Sequence, residues 1–343
     1  MKHLLSLLGF VFLLIACKST TVVMNNDDPS QNIIPSPSKN DVIMTSASNS
    51  NNTKTITSFE LRETVEFLAS DELKGRNTGS EGIEQAALFI ENNFKFSNLK
   101  PYFETYRDSF KVGEKHAYNL VGFLEGQDKK LKDEVIIIGA HYDHIGYGKV
   151  VENDSIANGA NDNAAGTSAV LALAKYFTET KTNGRSLMFV LFSAEEMGLL
   201  GSKHLAAKLK TEDIDLYTML NFEMIGVPFT DRDYIAFVTG YELSNMGEKI
   251  NEYAGTKLVG LSKIAQQYQL FRASDNYPFY EAFNLPSQTI SSCDLSNYDY
   301  YHHVYDEADQ LDYNHMASLV NQMIPVIEKI SQTETKEIKL HEE

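Results

Sequence analysis

Five short stretches of this chain bring imidazoles and carboxylates together. They are His141-Tyr142-Asp143-His144, Asp162 within NGANDNAAG, Glu195-Glu196 within SAEEMG, Glu223 within NFEMIG, and YDYYHHVYDEAD near the C-terminal end. Imidazole and carboxylate without thiolate form a ligand set for zinc or another divalent transition ion. A carboxylate has two oxygens and can bridge two ions ~3.5–4 Å apart, which an imidazole does not do readily. Neighbouring Glu195 and Glu196 suit a division of labour, one binding metal while the other takes a proton from activated water. One acidic residue after a strand is ordinarily a solvated loop end, but five clusters in order argue for a site. The sequence holds no HExxH zinc helix, no Walker-type GxxxxGK loop and no GxSxG elbow.

The elements that must position these residues are legible as hydrophobic runs. Spacing predicts helices over 59–73 and 82–96, separated by the turn-like GRNTGSEG. Buried strands are expected over 134–140 (EVIIIGA), 186–193 (SLMFVLFS), 217–222, 234–240 and 287–292. Helical patterns alternate with them over 164–177 and 198–209, and a last helix is expected over 313–331, interrupted at Pro325. Apolar β-rich runs alternating with helices predict an α/β fold, a three-layer α/β/α arrangement around a mixed, largely parallel sheet. Such sheets place their sites beyond the carboxyl ends of the strands. The histidines and acids follow the strands in that way. With no internal repeat, a single domain over 56–335 followed by a polar tail, 336–343, is the economical reading.

AHYDHIG, GANDNAAG, SAEEMGLLGS, NFEMIG, SDNYPF and YHHVYD, in this order, resemble the motifs of the co-catalytic zinc aminopeptidases, peptidase family M28. FLASDELKGRNTGSEG and AYNLVGFLEG resemble that family as well. The resemblance implies a zinc exopeptidase fold and hydrolysis of N-terminal peptide bonds by a water that two zinc ions activate. It implies His141 and Glu223 on the first zinc, Glu196 and His302 on the second, and Asp162 bridging both. Glu195 would be the general base, Asp143 would orient His141 through its other ring nitrogen, and Tyr301 would help stabilise the oxyanion. Asp162–Asn163 falls where relatives carry a cis peptide. Two residues depart from the pattern: relatives usually have aspartate at Glu223, and histidine is common at Asn276. His144 is open between lining the cleft and supporting it from the loop, and His303 is the rival to His302. Tyr268, Tyr277 and Phe279 are candidates for a specificity pocket. Two other readings compete: a glutaminyl-cyclase-like acyltransferase with one zinc, and a metal-binding lipoprotein without turnover.

The rest of the chain concerns location. Residues 4–16 form an apolar run after a short basic start, and at ~1.5 Å per residue they span too little of a ~30 Å hydrocarbon core to cross it. They read as an export signal, 1–16, and LIAC resembles a lipobox that would make Cys17 a lipid-anchored first residue. Residues 17–55, rich in Ser, Asn, Thr and Pro, read as a flexible tether. The expected protein is a cell-envelope lipoprotein, facing the periplasm or displayed at the surface, and monomeric. Only Cys293 remains beyond the leader, so no intramolecular disulfide forms within the folded domain. With 30 basic and 47 acidic residues the net charge is −17, which repels phosphate backbones and argues against nucleic acid as a partner. Peptides are the expected substrates.

Overall fold

The computed structural model describes residues 54–342. The expected signal peptide, Cys17 and nearly all of the tether lie outside them. The domain opens with helix α1 (Ser58–Leu68), which starts where Thr57 and Glu60 cap each other's backbone in a capping box. A short 3-10 turn (Asp71–Arg76) and helix α2 (Glu81–Phe96) follow, the latter capped by Ser80. Next come strands β1 (Lys100–Pro101), β2 (Arg107–Val112), β3 (Lys115–Leu124) and β4 (Val135–His141). A hairpin of β5 (Gly146–Val151) and β6 (Asp154–Ala157) stands apart from the main sheet. Helix α3 (Ala165–Thr180), strand β7 (Ser186–Phe192), helix α4 (Leu200–Thr211) and strand β8 (Leu216–Phe222) continue the alternation. Strand β9 (Ala236–Val238), helix α5 (Met246–Ala254), strand β10 (Val259–Gly260) and helices α6 (Lys263–Gln267) and α7 (Asn276–Phe283) lead to strand β11 (Ser287–Ser291). Helix α8 (Tyr313–Gln332) closes the fold.

Nine of these strands form one sheet, in the order β1-β3-β7-β4-β8-β11-β9-β10 with β2 on the far side of β3. Its centre, β7-β4-β8-β11, is parallel, whereas β3 and β9 join it antiparallel, so the sheet is mixed. Within the runs EVIIIGA and SLMFVLFS, residues 135–140 and 187–192 are apolar at every position because both faces are covered. Ile136 and Ile138 of β4 join the core with α1, α2, α3 and α8, while Val135 and Ile137 point to the opposite core with α4 and α7. At roughly 25 cal/mol per Å² of apolar surface removed from water, a double-sided core is what makes these central strands the stable part of the sheet. The result is the expected three-layer α/β/α arrangement.

Several expectations needed correction. Helix α8 runs unbroken through Pro325. Proline removes one backbone donor, and the buried neighbours Ile324, Val326 and Ile327 hold the helix against the core regardless. The 3-10 turn separates α1 from the sequence that was expected to extend it to 73. The polar tail, 336–343, packs back on the domain: Ile338 is buried and its N–H donates to Tyr217 Oη at 2.7 Å. Leu340 bridges Ser244, and Asn245 bonds the backbone of Glu337 and Lys339. Among the described residues, no helix is long and apolar enough to cross a membrane.

Candidate metal centre

Parallel pairing in the middle of the sheet brings distant residues to one edge. The β4–β7 register sets His141 beside Phe192, three residues before Glu195. The β4–β8 register sets Gly139 beside Asn221, so continuing it two residues brings His141 level with Glu223. At that edge the backbone takes left-handed conformations that side chains disfavour: φ is 59° at Ala194, 48° at Met224 and 55° at His302. Such conformations persist where the surroundings over-determine them, and they gather at functional sites. His302 is itself a donor, Met224 follows Glu223, and Ala194 precedes Glu195.

The remaining segments are tied in by buried polar groups. Asp306 receives the N–H groups of Asn161 (2.7 Å) and Asp162 (3.0 Å) on its carboxylate, and its carbonyl receives that of Ala160. Asn163 follows Asp162 across a cis peptide bond. Its side chain donates to the Phe222 carbonyl and accepts the N–H of Met224, which locks the Asp162 turn to the Glu223 turn. Gly159 must be glycine: φ is +60°, and a Cβ there would lie 2.3 Å from the Asp162 carbonyl oxygen and 2.5 Å from the His144 ring. Beneath these turns lies Arg76, wholly buried. Its guanidinium donates to the carbonyls of Leu68, Tyr142, Asn158 and Gly159 at 2.5–2.9 Å. One cation thereby joins the loops that carry His141, His144 and Asp162.

Two donor clusters share Asp162. On one side, His141 Nε2 stands 3.0 Å from Glu223 Oε1 and 3.3 Å from Asp162 Oδ1. On the other, His302 Nε2 stands 3.0 Å from Glu196 Oε2 and 3.3 Å from Asp162 Oδ2. His144 Nδ1 joins this second group, 2.9 Å from Glu196 Oε1 and 3.7 Å from Asp162 Oδ2. His302 Nε2 and Asp162 Oδ2 are buried and have no hydrogen-bond partner despite their proximity. Atoms aimed at a shared point between them rather than at each other fit a divalent cation there, and the nitrogen–oxygen donor set suits zinc. Glu195 belongs to neither cluster, yet it lines the same pocket as His141, Asp162 and Glu223.

The electrostatics agree. Burial would push His141 down, but Glu223, Glu195 and Asp162 hold it well above the usual imidazole range. His302 is likewise lifted against burial, to about 10, by Asp162 and Glu196. Asp162 lies well below the usual carboxylate range, since His141 and His302 outweigh its burial. The carboxylates thus concentrate positive charge at this edge, first as protons, and cation binding displaces such protons. Glu195 goes the other way. Burial raises it well above an exposed glutamate, helped by Asp275, Glu223 and Glu196 and opposed by His141.

Some anticipated contacts differ. Asp143 does not reach the His141 ring with its carboxylate, whose Oδ1 is 3.8 Å from Nδ1. The ring nitrogen is held at 3.1 Å by the Asp143 backbone carbonyl, and the carboxylate accepts Thr78 Oγ1 and the Glu195 N–H. Asp143 therefore positions the Glu195 backbone. The longer side chain of Glu223 is accommodated because its second oxygen accepts Ser274 Oγ at 2.8 Å. Asn276 faces away and ties α7 to β11 through Ser287 and Thr289. His303 accepts the Tyr305 N–H and joins neither cluster. Tyr268, Tyr277 and Phe279 do not line the pocket beside the clusters. That pocket, of about 70 Å³, is lined by Phe237, Leu270, Ala273, Leu295 and Tyr301 as well as by His141, Asp162 and Glu223. Arg76, Asp306 and Asp275 escaped the sequence reading. Arg76 lies in FLASDELKGRNTGSEG, a stretch whose resemblance and turn-like composition single out no residue, and Asp306 lies in YHHVYD beside the more conspicuous histidines.

The model of peptidase family M28 matches residues 119–327. The chain belongs to this family. Leucine aminopeptidase 2 of Arthroderma otae is 28% identical over 180 residues, which cover 52% of this chain and 34% of that protein. The chain spans about a third to a half of the length of the curated relatives it matches. Among solved structures, the zinc aminopeptidase BSAP from Bacillus subtilis superposes with a TM-score of 0.64 at 15% identity, covering 84% of this chain and 98% of that one. Glutaminyl cyclase from Fimbriiglobus ruber gives the same TM-score at 18% identity, covering 80% and 96%. These likenesses establish the M28 member's fold. They leave the reaction to its side chains.

Proposed function

We propose that the protein is a zinc-dependent aminopeptidase that removes residues from the N-terminus of peptides, using two zinc ions per chain. One observation carries this reading: Asp162 offers one oxygen to each of two donor clusters, with Glu195, a member of neither, lining the same pocket. His141, Asp162 and Glu223 would hold one ion, and Asp162, Glu196 and His302 the other. Zinc in such a site acts as a Lewis acid and lowers the pKa of water toward ~7. Glu195 takes the proton from the attacking water and returns it to the departing amine, a task that suits a carboxylate made more basic by burial. Asp143 fixes the Glu195 backbone through its N–H. Tyr301 borders the pocket, and nearby carboxylates together with burial keep its phenol protonated, so it can donate to the developing oxyanion. The apolar side chains in the pocket lining, Phe237, Leu270 and Leu295 among them, suit an uncharged first side chain.

The complete His141–Asp162–Glu223 group speaks against a transferase working with one ion. The proposal extends to an envelope lipoprotein anchored through Cys17, supported by the LIAC sequence. Glu195→Gln tests the reaction: zinc content should stay at about two per chain while kcat on aminoacyl-p-nitroanilides falls about 10²–10⁴-fold. Parental turnover by this variant would defeat the assignment, and cyclisation of N-terminal glutamine by the parent would favour the transferase.

A further inference from the structure

We propose that His144 is a fourth protein ligand of the second cluster, and that the two cation positions are therefore unequal. His144, Asp162, Glu196 and His302 form a closed, retaining position, whereas His141, Asp162 and Glu223 form an exchangeable one that keeps room for water. This rests on the two-ion reading above and says which ion does what.

The geometry of the second cluster is the first argument. A tetrahedral zinc with ligands at ~2.0–2.2 Å separates its donor atoms by roughly 3.3 Å. The separations of the two imidazole nitrogens from the carboxylates there are 2.9 Å (His144 to Glu196 Oε1), 3.0 Å (His302 to Glu196 Oε2), and 3.7 and 3.3 Å to Asp162 Oδ2, scattered about that value. All four donor atoms lie within 4.8 Å of one another. The two imidazoles approach edge-on, with centroids 5.6 Å apart and planes at 70°, as rings do when each directs a nitrogen at a common centre.

The second argument is that hydrogen bonding alone accounts for too little. A proton on His144 Nδ1 could be given to Glu196 Oε1, but it would leave Asp162 Oδ2, buried and also facing this nitrogen, without a partner. A cation serves all the donors at once. His144 cannot swing aside to serve another role, because its ring is wholly buried and packed against Gly159.

Ligand number then separates the sites. Four protein donors close a zinc site, and three leave a position open. The three-donor cluster is also the one that shares its pocket with Glu195 and Tyr301, while His144, Glu196 and His302 do not line that pocket.

Zinc-loaded full-length protein is dialysed against chelators of graded strength, and zinc per chain is read by elemental analysis. The parent should lose its ions in two steps, with affinities at least about 100-fold apart. His144→Ala should lose the tighter step, weakened by at least about 100-fold, and His144→Asn should behave alike. Asparagine can place an amide donor near Glu196, so recovery of the tight step by His144→Asn would mean a positioning residue and overturn the proposal. A single-step release from the parent would overturn it independently of whether either variant folds. Failure of the parent to bind zinc at all would instead defeat the two-ion reading.

Discussion

Replacing Arg76 by methionine keeps an unbranched apolar stem and removes the four hydrogen bonds to Leu68, Tyr142, Asn158 and Gly159. Leaving a buried acceptor without its partner costs ~1–3 kcal/mol, so four of them set a loss of about 4 kcal/mol even at the low end. A domain of this kind is stable by only ~5–15 kcal/mol, which makes that loss a large share. Burial pushes the guanidinium down to about 10, partly offset by Asp306, Asp162, Asp143 and Glu196, so it is charged at neutral pH. Its removal also takes a positive charge from beneath the carboxylates that meet at Asp162. The assay is urea unfolding of metal-free protein at neutral pH, with Arg76→Lys as comparison. Lysine restores the charge and at most three donors, without the planar fork, so it should recover part of the loss. A loss below about 1 kcal/mol for Arg76→Met, less than one unsatisfied carbonyl would cost, would refute the role of Arg76 as the clamp of the site loops.

Glu223→Asp withdraws the carboxylate by about one bond and cannot hold both His141 and Ser274; zinc affinity at the first position should fall about 10–100-fold by competition titration. An unchanged affinity would show that the extra methylene is not what completes this cluster. Truncation after Thr335 exposes the surface covered by Ile338 and should cost ~1.5–3 kcal/mol in chemical denaturation. Glu307 is lifted from 4.5 to about 7 by burial, aided by Asp71, Asp154 and Asp306 and opposed by its bond from Asn158. Because its folded pKa is the higher one, its contribution to stability is full below 4.5 and is lost as pH rises through about 7. Glu307→Gln stays neutral and still accepts from Asn158, so its melting temperature should fall less than the parent's between about pH 5 and about pH 8. Parallel curves would contradict this.

What could be read in the sequence was what leaves a periodic or compositional trace. Strands β4 and β7 are visible because burial on both faces demands long apolar runs, β8 shows more weakly because Thr218 and Asn221 interrupt it, and the ends of the three point to His141, Glu195 and Glu223. Strand β2 was not anticipated: its residues Arg107–Val112 lie at the border of the sheet, where burial is partial and charges are tolerated. His144 could not be assigned because its sequence position beside Asp143 says nothing of which way the ring turns, and Gly159, which walls it in, is fifteen residues away. Arg76 was hidden for a similar reason. A buried arginine is satisfied by carbonyls, and any residue type can supply those. Asp143 does meet the other ring nitrogen of His141, but through its backbone carbonyl rather than its carboxylate, and residue type alone does not say which of the two reaches the ring.

The order of the donors along the chain has a consequence for biosynthesis. A chain emerging from its N-terminal end presents His141 and His144 first, then Asp162, the glutamate pair and Glu223, and last among the donors and their anchors His302 and Asp306. Until Asp306 arrives, the N–H groups of residues 160–162 have nothing to anchor their turn, and the second cluster lacks one imidazole. A product that stops before His302 thus lacks one donor of the second cluster and the anchor of the Asp162 turn, and the connectivity itself leaves the paired centre incomplete until that segment has been made.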